Sequence, residues 1–305
     1  MGVQSPIVRD EGIPAEYLID IEPRGVVDAI RRFARSTPYG PASALYLLVV
    51  LAVGVLAPVL SPYDPLAGNY SITRHAPSIL NLLGTDDLGR DELSRIIWGT
   101  RITMVVSILS VFLGDVLAFA WGVSSGFVGG RFDLISQRVI EVLMSFPTLI
   151  LAMLLLISLG AGVTTVVLAI AVTQVPGCTR IVRSSALAIR NLAYVEAARS
   201  LGASPLRIMF RSIAPQCLAP FLVILTLNLG SAVFAEASLS FLGVGVPPPA
   251  PSWGNMLGGV LATAYHPSWW LVVFPGVAIT LTVLAANLLG DALRDFLDPR
   301  IRQRR

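Results

Sequence analysis

Residues 102–123 read ITMVVSILSVFLGDVLAFAWGV, an apolar run whose one ionisable side chain is Asp115. An α-helix rises 1.5 Å per residue, so about 20 such residues cross a hydrocarbon core of about 30 Å, and this run is long enough. Comparable windows recur at Ala42–Leu60, Val139–Leu159, Val163–Thr179, Pro220–Leu242 and Trp270–Leu289. The chain is therefore expected to be an all-α membrane protein of about six transmembrane helices.

Composition points the same way. Of 305 residues, 54% are hydrophobic and 13% charged, where a soluble domain carries about 25% charged residues. Mean hydropathy is +0.74. Between the runs lie a hydrophilic stretch at 61–101, turns near Gly129 and Gly160, a basic segment at 180–216 and a Pro-rich loop at 243–269. No internal repeat or low-complexity tract interrupts them.

All 22 basic residues are Arg. Without Lys there is no P-loop of the Walker A type and no Schiff-base amine, so the chain is expected neither to hydrolyse nucleotide nor to bind a cofactor. Basic loops stay on the cytoplasmic side. With both termini inside, eighteen Arg fall in the cytoplasm and four (Arg74, Arg90, Arg95, Arg101) outside, which sets an N-in/C-in orientation. Trp98, Trp253, Trp269 and Trp270 fall at the expected outer interface, where amphipathic rings anchor helices.

The expected layout is a cytoplasmic N-terminal segment 1–41, a transmembrane domain 42–292 and a cytoplasmic tail 293–305. Within the first, Val26, Val27, Ile30 and Phe33 interleave with Arg31, Arg32 and Arg35 as in an amphipathic helix on an anionic leaflet. That segment lacks the basic start and apolar core of a cleaved leader, so the first span is expected in the mature protein. Cys178 and Cys217 read as small apolar residues near the reducing side. His75 and His266 fall in external loops and no HExxH is present, which argues against haem or zinc chemistry in the membrane.

The basic segment carries Glu196-Ala197-Ala198-Arg199-Ser200-Leu201-Gly202-Ala203-Ser204-Pro205-Leu206-Arg207. Ala-rich residues propagate one helix, Gly202 permits a sharp turn, and Ser204-Pro205 suits the N-cap and first position of a second. This pattern resembles the signature of importer-type ABC transporter permeases: Glu-Ala-Ala, three residues, Gly, nine residues, Ile, any residue, Leu, Pro. Glu196, Ala197, Ala198, Gly202 and Pro215 match in register; Ser212 stands at the Ile position with Ile213 next, and Ala214 replaces Leu.

Further stretches narrow the resemblance to the second permease subunit of dipeptide, oligopeptide and nickel importers. They are LSPYDP at 60–65, LGTDDLGRDELSRIIWG at 83–99, EASLSFLG at 236–243, PSWGNML at 251–257 and NLLGDALRDFLDPR at 287–300. The resemblance implies an importer-type permease fold in the cytoplasmic (inner) membrane, with a cytoplasmic coupling helix formed by Glu196, Ala197, Ala198, Gly202, Ser204, Pro205 and Pro215. It also implies the partners: a homologous second permease, two cytoplasmic ATPase subunits holding ATP and Mg, and an external solute-binding protein. Nucleic acid has no place among them. An ion-coupled secondary transporter is the rival that needs no ATPase. An intramembrane enzyme lacks a dyad, metal set or cofactor motif.

Individual side chains suggest sites. Asp115 and Glu236 inside spans cost about 2.5–3.5 kcal/mol each if lipid-facing, so either they line the solute path or neighbouring N–H and hydroxyl groups satisfy them. Gln174 is a further path candidate; with Pro176 it is expected to interrupt the fourth span, as Pro147 kinks the third. Glu141 is expected to pair with Arg138 three residues earlier. In the external segment, Gly84 and Gly89 mark turns, and Leu93, Ile96 and Ile97 form the stripe of a short amphipathic helix, a platform on which Asp86, Arg90 and Asp91 could meet the binding protein.

Overall fold

The computed structural model describes residues 39–263 and 268–297, together with Phe33 and Thr37. Most of the segment expected to lie on the leaflet, His266 and the end of the C-terminal tail fall outside these residues. Among the described residues, nine principal helices carry the fold: α1 Tyr39–Val55, α2 Glu92–Val128, α3 Gly130–Met144, α4 Thr148–Leu159, α5 Val163–Arg190, α6 Ala193–Ser200, α7 Ala214–Phe241, α8 Trp253–Thr263 and α9 Trp269–Leu297.

Among the described residues, four helices are long and apolar enough to span a bilayer: α2, α5, α9, and α7 together with the residues from Pro205 that lead into it. Two of the expected runs behave differently. The third run breaks at Ser145-Phe146-Pro147, and α3 and α4 meet at 89°. The kink expected at Pro147 is thus a full corner, because Pro147 precedes α4 as its N-cap and cannot continue α3. The first run gives α1, 17 apolar residues long.

The interruption expected at Gln174 and Pro176 does not occur. Helix α5 runs unbroken through Pro176, which is buried, and on to Arg190. Neighbouring helices enclose the backbone where proline removes a donor, the situation in which spans tolerate it. Nor is there a separate external amphipathic helix: Leu93, Ile96 and Ile97 lie in the first turns of α2, packed under the segment that precedes it.

Helix α2 starts where Asp91 accepts bonds from the Ser94 backbone N–H (2.8 Å) and hydroxyl (2.7 Å). It stops at Gly129, whose φ of +68° turns the chain into α3. The most extensive helix pairing joins α2 to α5. Its basis is a run of small residues four apart, Gly114, Ala118, Gly122 and Gly126, which brings backbone against backbone. A Cβ added at Gly114 would lie 2.6 Å from the Ala171 carbonyl oxygen; at Gly122, 2.8 Å from that of Thr179; at Gly126, 2.8 Å from that of Arg183. Helix α7 packs on both members of this pair, and α9 joins α7 to α1.

Candidate functional site

The segment after α5 folds as the residues dictate. Helix α6 runs from Ala193 to Ser200, and Gly202 then takes φ +77° while its N–H donates to the Arg199 carbonyl. Ser204 caps the next turn, its hydroxyl accepting from the Arg207 N–H at 3.4 Å, with Pro205 at the first position. A five-residue π segment, Met209–Ile213, leads into α7, where Pro215 sits in the first turn.

This helix, break and helix has two faces. Val195, Ile208 and Ile213 are buried against Val182 and Ala186 of α5 and Phe221 of α7. Outward, Leu201 is 88% exposed, Leu206 66% and Phe210 65%, an apolar patch that water does not favour and a partner would cover. Glu196, Ala197, Gly202, Ser204 and Pro205 share the exposed side; Ala198 is half-buried.

Polar ties fasten the segment to the C-terminal end of α2. The Arg199 guanidinium lies 5.9 Å from the Phe127 ring centroid. Arg190 Nη1 donates to the carbonyls of Gly126 and Phe127, each at 3.3 Å. Arg183 forms a bidentate pair with Asp133 of α3, both bonds 2.5 Å, and Ser125 also donates to that carboxylate. Tyr194 Oη donates to the Ser212 carbonyl at 3.1 Å, closing α6 onto the π segment.

Within the helical core, the structure gathers two of the suggested path residues and separates the third. Asn228 Nδ2 donates to both oxygens of the fully buried Asp115, at 2.8 and 3.0 Å, and the Asn228 carbonyl accepts from Gln174 Nε2 at 3.4 Å. Asp115, Gln174 and Asn228 therefore form one cluster where α2, α5 and α7 meet. Asn228 was legible as an amide inside an apolar run, a signal equal to that of Gln174. An Asn228→Leu variant is expected to strip the buried Asp115 of both amide bonds and leave it only the weak Cys178 thiol as a partner, lowering stability by about 1–3 kcal/mol. Adding Asp115→Leu should recover much of the loss; melting curves of the purified protein that show no recovery would refute the pairing as its cause.

Glu236 stands apart and stitches elements together. Its carboxylate accepts from Thr103 Oγ1 of α2 (2.9 Å) and Ser240 Oγ of α7 (2.8 Å), and Ser240 Oγ accepts from the Val246 N–H at 3.1 Å. Trp253 Nε1 donates to the Ile96 carbonyl, and Gly254 lies so close to α7 that a Cβ would meet the Ala237 carbonyl oxygen at 2.2 Å. Satisfaction by neighbouring hydroxyls is what this geometry provides. The predicted ion pair Arg138–Glu141 is present at 2.8 Å.

The segment before α2 is folded tightly. Asp86 accepts from the N–H groups of Leu88 and Arg90 and pairs with Arg90 (2.6 Å) and Arg95 (3.4 Å). Asp91 caps α2 and accepts from Asn81 Nδ2 at 2.8 Å. Both carboxylates are buried; the Arg90 side chain keeps 19% of its surface.

Comparison with known proteins places these features. Residues 118–303 match the family model described as the binding-protein-dependent transport system inner membrane component. A glutathione transport system permease protein of Pectobacterium atrosepticum is 38% identical over 303 residues, covering 97% of this chain and 95% of that one. A di/tripeptide transport system permease protein of Pseudomonas aeruginosa is 39% identical over 265 residues, covering 85% and 87%. In fold, the chain is similar to a chain of the methionine ABC transporter solved in inward-facing conformations, with a TM-score of 0.57 at 19% identity over 68% of this chain and 97% of that one. A multi-pass helical chain of the inner membrane, built around this α2–α5–α7 core, belongs to the family of binding-protein-dependent transport system inner membrane components.

Proposed function

We propose that the chain is one half of a gated path in an ATP-driven importer of peptides or similar small solutes, and that Glu196–Pro215 is its coupling element. One observation carries the reading. The segment buries Val195, Ile208 and Ile213 in the helical core while presenting Leu201, Leu206 and Phe210 outward, so a partner that grips the outer face displaces the core. The ATP and Mg belong to two cytoplasmic ATPase subunits, and a homologous second permease supplies the other half of the path.

Six crossings follow in this reading if α1 and the α3–α4 pair each cross once. At 1.5 Å per residue, α4 alone rises about 18 Å, too little for the bilayer, so it needs α3 to complete the passage. The chain order then puts α6 with the Arg-rich loops inside, and the 61–91 segment and α8 outside, facing a solute-binding protein. Asp115, Gln174 and Glu236 remain candidates for the path, and Arg90 is the exposed member of the suggested binding-protein contacts.

The test is uptake by the complete complex in liposomes, with mass spectrometry of what its purified binding protein carries. Uptake is expected to require ATP and the binding protein, and the carried solute to be a peptide. Transport that persists without the ATPase subunits would instead mark an ion-coupled carrier.

A further inference from the structure

Arg101 stands at the head of the apolar run 102–123, one turn after Trp98, and its side chain is exposed. The guanidinium lies 5.6 Å from the Trp98 ring centroid, a cation–π contact that holds it at the aromatic margin of the bilayer. Among the described residues no carboxylate pairs with it, and no carbonyl or hydroxyl accepts from it. Its five N–H donors are left for whatever surrounds the protein.

A furrow between α1 and α2 begins at this side chain. Leu51 and Val55 of α1 and Met104, Val105 and Ile108 of α2 form its walls, and Arg101 is its one charged residue. Positions 101, 104, 105 and 108 share one face of a helix, so the furrow follows the α2 axis for about 10 Å into the apolar run. Gly54 lets the two helices close beneath it: a Cβ there would lie 3.2 Å from Arg101 Cα. The volume is about 210 Å³. Over that length it is room for a chain of methylenes, not for a helix about 10–12 Å across. Two other clefts lack this pairing of one charge with apolar walls. The cleft beside Asp86 and Arg90 holds charges of both signs, and the cleft between Phe234, Phe241 and Ile279 holds none.

We propose that Arg101 and this furrow bind one anionic phospholipid, its phosphate on the guanidinium and one acyl chain along the furrow. The charge and the shape select the same ligand. A single cation at one end of an apolar channel matches an amphiphile that is anionic at one end and hydrocarbon beyond it. The guanidinium fork presents paired donors to phosphate oxygens, and the Trp98 face keeps that fork in place. The furrow opens on a membrane-spanning helix among exposed Leu48, Val105 and Phe112, where acyl chains are the solvent. In such surroundings burial of apolar surface drives little, so the headgroup contact and close packing give the preference. A carboxylate from a neighbouring subunit would meet the same cation but leave the furrow unfilled. Which leaflet supplies the lipid follows from the proposed orientation; the charge and shape of the site do not depend on it.

The experiment uses the assembled complex in detergent without ATP or solute, so its result is separate from the importer reading. Native mass spectrometry measures the lipid retained from an equal mixture of dioleoylphosphatidylglycerol and dioleoylphosphatidylcholine. Wild type is expected to hold one phosphatidylglycerol about tenfold or more tighter than Arg101→Gln does. Arg101→Lys should retain part of that preference. Val105→Trp, which fills the furrow and leaves the cation, should lose the lipid as well. Both positions are exposed, so these variants should melt as wild type does. Glycerol 3-phosphate at the same concentration should not displace the lipid; displacement would reduce the site to a phosphate site and overturn the acyl seat. Equal retention by wild type and Val105→Trp would overturn that seat too. Equal retention by wild type and Arg101→Gln would overturn the site itself, and loss of the second permease from that variant would give Arg101 to a partner carboxylate instead.

Discussion

A Gly202→Trp complex is expected to assemble and insert normally yet lose ATP-driven uptake by about tenfold or more, the scale of a blocked central interface contact. The structure separates the two costs of that change. A Cβ at Gly202 meets nothing within 4 Å, so the protein's own interior does not resist a side chain. What folding loses is the left-handed backbone preference at φ +77°, about 1–2 kcal/mol for any non-glycine residue. Gly202→Ala incurs the same backbone cost without the bulk, and it should keep most of the uptake. The indole projects from the exposed face beside Leu201 and Leu206, where an ATPase would sit. Glu196→Lys on the same face should likewise leave ATP hydrolysis uncoupled from uptake. Normal import by an assembled Gly202→Trp complex would refute the coupling role.

Gly122→Leu is expected to have the opposite profile, damaging the chain before any partner is involved. Its Cβ alone would stand 2.8 Å from the Thr179 carbonyl oxygen and 2.9 Å from Val182 Cβ, so the branched remainder has nowhere to go. Overpacking at one site costs about 1–3 kcal/mol. Here the obstacle is partly backbone, and the strain must be relieved by parting two long helices. Little folded protein should be recovered, and what is recovered should melt well below wild type; Gly122→Ala should fall between. A Gly122→Leu protein with an unchanged melting temperature would mean that α2 and α5 are not in backbone contact.

The apolar runs, the turn at Gly202 and the cap at Ser204 were legible because each depends on residues within a turn or two of chain. Where the reading failed, distant atoms decided. Asp115 and its partner Asn228 lie 113 positions apart, and no local pattern connects them. Pro176 reads as a helix breaker until the packing around it is known. The corner at Pro147 is visible as a kink, but its angle of 89° is set by how α3 and α4 pack. The four-residue spacing from Gly114 to Gly126 was available in plain view, yet averaging over a hydropathy window blurs small residues into a uniform apolar run. Asp86 and Asp91 looked like surface charges because acidic side chains usually are; here they are used on caps and ion pairs of their own segment.

The glycine seam between α2 and α5 also determines how far a push can travel. Helix α2, with 37 residues, is a rod of about 55 Å, and the seam clamps it to the helix that leads into α6. Arg199 of α6 and Arg190 at the end of α5 both hold the C-terminal end of that rod. The other end is capped by Asp91 beneath the folded segment that precedes it. In the proposed reading, a displacement of the coupling element would move both ends of α2 together, because the seam holds α2 and α5 as one rigid pair.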